Sequence, residues 1–129
     1  MSLLRRVLYW HATVWTACGI AIAVVPRWVL VTLFDQPAYP QYAYVRVSGV
    51  MSVGLALFMV LIAQRIEELW WWSWAFALVD VAIVATTALT AVLSNSPALL
   101  WLLFSGVTTL LLAGVIAGLA RAGQEKPLV

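Results

Sequence analysis

The stretch WSWAFALVDVAIVATTALTAVL, residues 72–93, contains a single charged residue, Asp80. Its apolar residues are contiguous rather than alternating, which favours a helix over a barrel strand. At 1.5 Å per residue, a helix of about 20 residues crosses a hydrocarbon core about 30 Å thick. The stretch therefore predicts a membrane-spanning helix that carries a carboxylate inside the membrane.

The composition extends this prediction to the whole chain. Of the 129 residues, 65% are hydrophobic and 9% are charged, and the mean hydropathy is +1.03. An ordinary soluble domain is about a quarter charged, whereas in lipid the backbone must bond to itself. We therefore predict an all-α integral membrane four-helix bundle, a single domain with spans at about 7–25, 43–64, 72–93 and 98–120.

The connections between these spans are short. Residues 26–42 form an outer loop, in which WVLVTLF (28–34) is expected to lie as a short helix at the membrane interface. SNSP (94–97) is expected to turn the chain into the fourth span, and residues 121–129 form a flexible tail.

The basic residues predict the orientation. Cytoplasmic loops of membrane proteins carry an excess of Lys and Arg, so we expect a multi-pass protein of a bacterial cytoplasmic membrane with both termini in the cytoplasm. This bias also argues against insertion in both directions. Because the charges flank the spans rather than cluster, no nucleic-acid partner is expected. Five basic residues fall on the predicted inner side, Arg5, Arg6, Arg65, Arg121 and Lys126, against Arg27 and Arg46 on the outer side.

An alternative for the N-terminus is a lipoprotein signal, with Cys18 of WTACG as the acylated residue. Trp15 stands where such signals prefer leucine, and His11 and Thr13 interrupt the apolar region. We therefore expect the first span to be retained, which an intact mass would test.

The tryptophans predict an interfacial belt. Amphipathic rings with an N–H donor concentrate where the membrane meets water. A groove for a lipid or quinone headgroup is the functional alternative. The belt residues are Trp70, Trp71, Trp72 and Trp74, with Trp10 on the first span and Trp28 in the outer loop.

Asp80 is the main candidate for a site. It lies eight residues past Trp72, hence about 12 Å into the membrane, where a carboxylate costs about 2.5–3.5 kcal/mol. His11, at a similar depth, is the expected partner. Arg46 enters from the opposite side and reaches Asp80 only if its helix sits deep, and Thr87 shares the polar stripe of Asp80.

Three roles for Asp80 follow from the sequence. It forms a structural hydrogen bond between helices, it titrates or binds a ligand, or it contacts a partner subunit. Small residues predict close helix packing, within the bundle or against a second protomer: Gly114 and Gly118 in the fourth span, and Gly49 and Ser52 in the second.

The sequence contains few of the residues and motifs that catalytic sites use. One histidine and one cysteine make no metal or haem ligand set, so no cofactor is expected. No nucleotide-binding loop and no GxSxG nucleophile motif occurs. An enzyme is therefore the less favoured class.

Pro26 after the first span, TLF (32–34) and RVSGVMSVGLAL (46–57) together resemble small bacterial four-span membrane proteins of the DoxX-like kind. Most of those proteins are of unknown function, and some are membrane subunits associated with quinone-linked redox complexes or sulfur metabolism. The resemblance implies a small four-helix membrane protein and assigns no catalytic residue.

Three functional hypotheses remain. The first is a non-enzymatic accessory or oligomeric membrane subunit that binds lipid, quinone or a protein partner, as a homo-oligomer or in a larger membrane complex. The alternative is a small transporter or proton-linked permeation pathway organised around Asp80. The third is a membrane enzyme acting on an isoprenoid or lipid, with Asp80 and Trp74 as its candidate residues.

Overall fold

The computed structural model describes residues 1–93 and 99–126, and in these two ranges the chain is helical without any β-strand. Four helices are long and apolar enough to cross a membrane. The predicted SNSP turn and the last three residues of the predicted tail lie outside the described ranges. The helices are α1 (Ser2–Val24), α2 (Ala43–Gln64), the short α3 (Ile66–Leu69), α4 (Trp74–Leu93) and α5 (Leu99–Glu125).

A π-helix, Trp28–Leu33, follows α1. Helix α1 ends before Pro26, since a residue that precedes proline is disfavoured in the α conformation. The wider π turn is closed by the bond from the Phe34 N–H to the Val29 carbonyl. Asp35 then adopts a φ of 51°, a left-handed conformation that Asp tolerates better than most residues, and the chain turns toward α2.

Helices α1 and α2 approach each other through two glycines. A Cβ atom at Gly49 would lie 2.5 Å from the Gly19 carbonyl oxygen and 2.8 Å from the Ala23 nitrogen. Ser52 lies beside the same contact, because a Cβ at Gly19 would come within 3.2 Å of the Ser52 Cβ. Small residues therefore set the spacing of this helix pair.

Helix α5 packs on the other side of α1 in the same way. A Cβ at Gly118 would lie 2.9 Å from the Leu4 Cα, and one at Gly114 would lie 3.1 Å from the Val7 side chain. Gly114 and Gly118 thus contact α1 of the same chain, so this stripe is occupied within the bundle.

The hydrophobic core lies in the half of the bundle that holds both chain ends, which we call the terminal end. On α1 the core cluster runs from Leu4 to Ala12, and on α5 it includes Val115, Leu119 and Ala122. The other half, which carries the connection between α1 and α2, is the loop end, and cavities lie between its helices. The buried core therefore lies toward the terminal end, and cavities between helices lie toward the loop end.

Ion pairs join the helices at the terminal end. The amino group of Met1 lies 2.7 Å from the Glu125 carboxylate, and Lys126 lies 2.8 Å from Glu67. Arg65 and Glu68 form a third pair at 2.6 Å. The three acidic residues of this end are thus all neutralised by partners from the chain itself.

Candidate functional site

A buried His–Asp pair joins α1 and α4. Nε2 of His11 and Oδ1 of Asp80 are hydrogen-bonded at 2.9 Å, and both side chains are 0% exposed. Asp80 lies on the inner face of α4, on which Ala77 and Thr87 are also buried. His11 lies on α1, three residues past the fully buried Leu8. The residues that the sequence pairs by depth are therefore in direct contact.

The pair leaves polar atoms without partners. Among the described residues, the buried atoms Nδ1 of His11, Oδ2 of Asp80 and Oγ of Ser73 form no hydrogen bond. Buried polar atoms of this kind are uncommon, and each one costs free energy. The described parts of the chain bring no third His, Cys, Asp or Glu close enough to make a metal site.

The two other residues of the predicted polar site lie apart from this pair. Arg46 Nη1 donates to the Ala23 carbonyl at the loop end, 3.1 Å away. Because α2 begins at Ala43, Arg46 lies in its first turn, too close to the end of the bundle to reach the level of Asp80. Thr87 bonds to the Ile83 carbonyl of its own helix.

A small cavity of about 80 Å³ lies in the centre of the bundle, lined by side chains from all four long helices. Trp15 forms part of its wall and also packs edge-on against His11, with ring centroids 5.5 Å apart. Ser52, Ile83 and Thr108 complete the wall from α2, α4 and α5. Trp15 therefore separates the buried pair from the cavity.

A larger apolar cavity of about 410 Å³, which we call the tail cavity, adjoins the central one. Cys18, Ile22 and Phe104 belong to the walls of both. The π-helix forms one side of the tail cavity, and Phe34 is placed there by packing on Trp101 of α5 at 4.8 Å. Its lining residues are Ala17, Cys18, Ala21, Ile22, Trp28, Val29, Leu30, Leu33, Phe34, Leu100, Trp101 and Phe104.

An open groove of about 770 Å³, the headgroup groove, lies at the loop end beside the tail cavity. Trp28 belongs to the walls of both spaces. The groove contains the two arginines of this end, Arg27 and Arg46, together with Tyr39 and Tyr42. It is formed by the end of α1, the π-helix and the start of α2.

The tryptophans of the predicted belt occupy two environments. Trp10, Trp28, Trp71, Trp72 and Trp74 are exposed at the bundle surface. Trp70 is only 6% exposed and belongs to the core cluster, and it begins the 3₁₀ turn Trp70–Ser73. The interfacial belt stays a prediction for all six tryptophans. Trp70, Trp71 and Trp74 also line a surface groove of about 380 Å³ against α5.

The tail cavity was not anticipated from the sequence. Its walls come from apolar residues of α1, the π-helix and α5, and such residues look the same in a packed core and around a cavity. The only available signal is WVLVTLF itself, an apolar segment too short to span, which must place its side chains against the bundle or the membrane.

Comparison with known proteins found no matching protein-family model, no similar curated protein and no similar solved structure.

Proposed function

We propose that this chain is a non-enzymatic membrane subunit that holds an amphipathic lipid-like molecule in its tail cavity. The observation that carries this proposal is the cavity itself, about 410 Å³ in volume and lined almost entirely by apolar side chains. Binding pockets for small molecules are typically about 300–1,000 Å³ and mostly apolar. The size and chemistry of this cavity fit a hydrocarbon or isoprenoid chain.

The position of the cavity supports the same conclusion. The tail cavity is open at one side, where its lining residues Ala17 and Trp28 are exposed, and its lining atoms lack dispersion contacts there. Leu4, Leu8 and Met59 of the terminal end are fully buried, whereas the tail cavity lies between helices at the loop end. A bound apolar chain would restore the missing contacts.

The proposal includes a location. We place the protein in a bacterial cytoplasmic membrane with both termini in the cytoplasm, on the basis of the positive-inside bias. The ion pairs at the terminal end are compatible with that end facing water. The headgroup groove would then lie at the outer leaflet.

The bound molecule is a membrane lipid or a quinone, since both join an apolar chain to a polar head. A larger complex with a protein partner, or a homo-oligomer, remains part of the hypothesis. The glycines that the sequence offered for such contacts, Gly49, Gly114 and Gly118, are engaged within the chain. A partner would therefore bind another surface, such as the exposed apolar side chains Leu78 and Val92 of α4.

Native mass spectrometry of the full chain in mild detergent tests the proposal. The wild type is expected to retain a lipid or quinone. Ala21→Trp, which fills the tail cavity, is expected to lose that molecule. Ile20→Trp is the matched control, because Ile20 is next to Ala21 in the chain but lies on the exposed face of α1, outside the cavity. A stable wild-type monomer without any co-purifying molecule would count heavily against the proposal.

A second function, proton-linked transport, is favoured by the buried His11–Asp80 pair with its two unpartnered atoms. An intramembrane acid–base pair is a recurrent element of proton pathways. Infrared titration of the carboxyl stretch in reconstituted wild type and Asp80→Asn tests it. A band that titrates between pH 4 and pH 9 and is absent from the variant supports transport. A silent carboxyl region, with only reduced stability in the variant, supports a structural role.

A further inference from the structure

We infer that the headgroup groove binds the anionic headgroup of the same lipid whose chain occupies the tail cavity. This inference rests on the proposed function and names the chemical class of its ligand, a lipid bearing a phosphate. Three observations support it. The arginines of the groove form no ion pair among the described residues, Arg46 is hydrogen-bonded to α1, and Trp28 lines both the groove and the tail cavity.

Within residues 1–93 and 99–126, neither arginine of the groove forms an ion pair with an acidic residue. The ion pairs found among the described residues are at the terminal end or between His11 and Asp80, and none involves Arg27 or Arg46. Asp35 is the one acidic residue near the loop end, and it does not line the groove. The groove is therefore positively charged, which calls for an anion from outside the chain.

Arg46 is held in position for such a ligand. One of its five N–H groups donates to the Ala23 carbonyl in the last turn of α1, where a positive charge is favoured by the helix dipole. The planar guanidinium presents its other donors as a fork that matches the oxygens of a phosphate. The Tyr42 hydroxyl, which accepts from the Tyr39 N–H, can still donate its own proton to an anion.

The shared wall favours a lipid over a soluble anion. Trp28 borders the headgroup groove on one side and the tail cavity on the other. A charged head and an apolar chain joined across an interfacial tryptophan is the arrangement of an amphipathic lipid at the edge of a membrane. A free phosphate would use only the groove and leave the tail cavity without an occupant.

The test compares phosphatidylglycerol with phosphatidylcholine of identical acyl chains, each titrated into the full chain in detergent and counted by native mass spectrometry. Wild type is expected to bind the anionic lipid at least about tenfold more tightly, which corresponds to about 1.4 kcal/mol. In Arg27→Gln/Arg46→Gln we expect this preference to disappear, so that the two lipids bind with about equal affinity.

Two variants control for charge and for folding. Arg6→Gln/Arg121→Gln removes two exposed arginines at the terminal end, and it is expected to keep the tenfold preference. Arg27→Lys/Arg46→Lys retains the positive charge and is expected to keep most of it, a result that a folding defect in the groove would not give.

The outcomes separate the inference from the proposed function. If Ala21→Trp abolishes binding of both lipids while Arg27→Gln/Arg46→Gln keeps its preference, the tail cavity stands and the headgroup assignment is overturned. If Ala21→Trp leaves both affinities unchanged while the glutamine variant loses its preference, the shared lipid site is overturned. Full displacement of phosphatidylglycerol by excess inorganic phosphate would identify a soluble-anion site instead and also overturn the inference.

Discussion

A carboxylate at the depth of Asp80 is costly in a membrane, and His11 is the side chain that offsets this cost. Their hydrogen bond at 2.9 Å joins α1 to α4, two helices whose other close contacts are mainly with α2 and α5. The bond forms whichever partner carries the proton. At the scale of single residues, this pair is therefore a buried polar contact between two helices that otherwise make few contacts with each other.

Removal of either partner should destabilise the protein. In Asp80→Ala, His11 is left buried without any hydrogen bond, and the free energy of unfolding should fall by about 1–3 kcal/mol. His11→Ala should have a similar effect, because it leaves the buried Asp80 carboxyl without its hydrogen-bond partner. Unfolding in mixed micelles with increasing sodium dodecyl sulfate measures both.

The double variant His11→Ala/Asp80→Ala completes the cycle. We expect a coupling energy of about 1–2 kcal/mol, at the upper end of what polar contacts between membrane helices contribute. Strict additivity of the two single effects would contradict a direct energetic role for the hydrogen bond.

Depth along a helix is what made this pair accessible to sequence reasoning. Counting residues from the predicted boundary places His11 and Asp80 at comparable levels, and few polar side chains compete there. The same counting assigned Trp70 to the belt, and the structure buries its ring in the core cluster. Depth says nothing about the side of the helix, and Trp70 begins the 3₁₀ turn Trp70–Ser73.

At the scale of helices, glycines decide how closely α1 and α2 approach. Gly49→Ala would place a methyl group 2.5 Å from the Gly19 carbonyl oxygen, and backbone atoms cannot move aside as flexible side chains do. Overpacking of this kind costs about 1–3 kcal/mol. We expect Gly49→Ala to lower the free energy of unfolding by that amount.

Gly54 on the same helix provides the matched control, since a Cβ placed there meets no described atom within 4 Å beyond its chain neighbours and the local backbone of α2. Gly54→Ala should leave stability unchanged or raise it by up to about 1 kcal/mol through helix propensity. Equal losses in the two variants, measured by the same denaturation, would show that close approach at Gly49 is not the cause.

The helical elements differ in how far the sequence predicts them. The long apolar runs predict α1, α2, α4 and α5, because in lipid a helix satisfies every backbone hydrogen bond within its own segment. The segment WVLVTLF was predicted to be a short interfacial helix, and its π form was not foreseen. That form depends on tertiary packing, because Phe34 is positioned by Trp101 and Phe104 of a helix distant in sequence.

At the scale of the whole molecule, the charge distribution predicts one orientation. An acceptor cysteine in a Cys18→Ser background, introduced as Gln36→Cys or Gln124→Cys, reports the side of each end to a membrane-impermeant thiol reagent. In intact bacterial cells, we expect Gln36→Cys to be labelled and Gln124→Cys to be protected until the membrane is opened. The reverse pattern would place the termini outside and contradict the positive-inside assignment.

Our central proposal is that a lipid chain occupies the tail cavity at the loop end of the bundle. The most direct test is photolabelling of the reconstituted full chain with a phospholipid that carries a diazirine near the middle of one acyl chain. We expect the labels to concentrate on residues that line the tail cavity, such as Ala21, Leu30 and Phe104. Labels spread over exposed side chains such as Leu78 and Val92, and absent from the cavity, would contradict it.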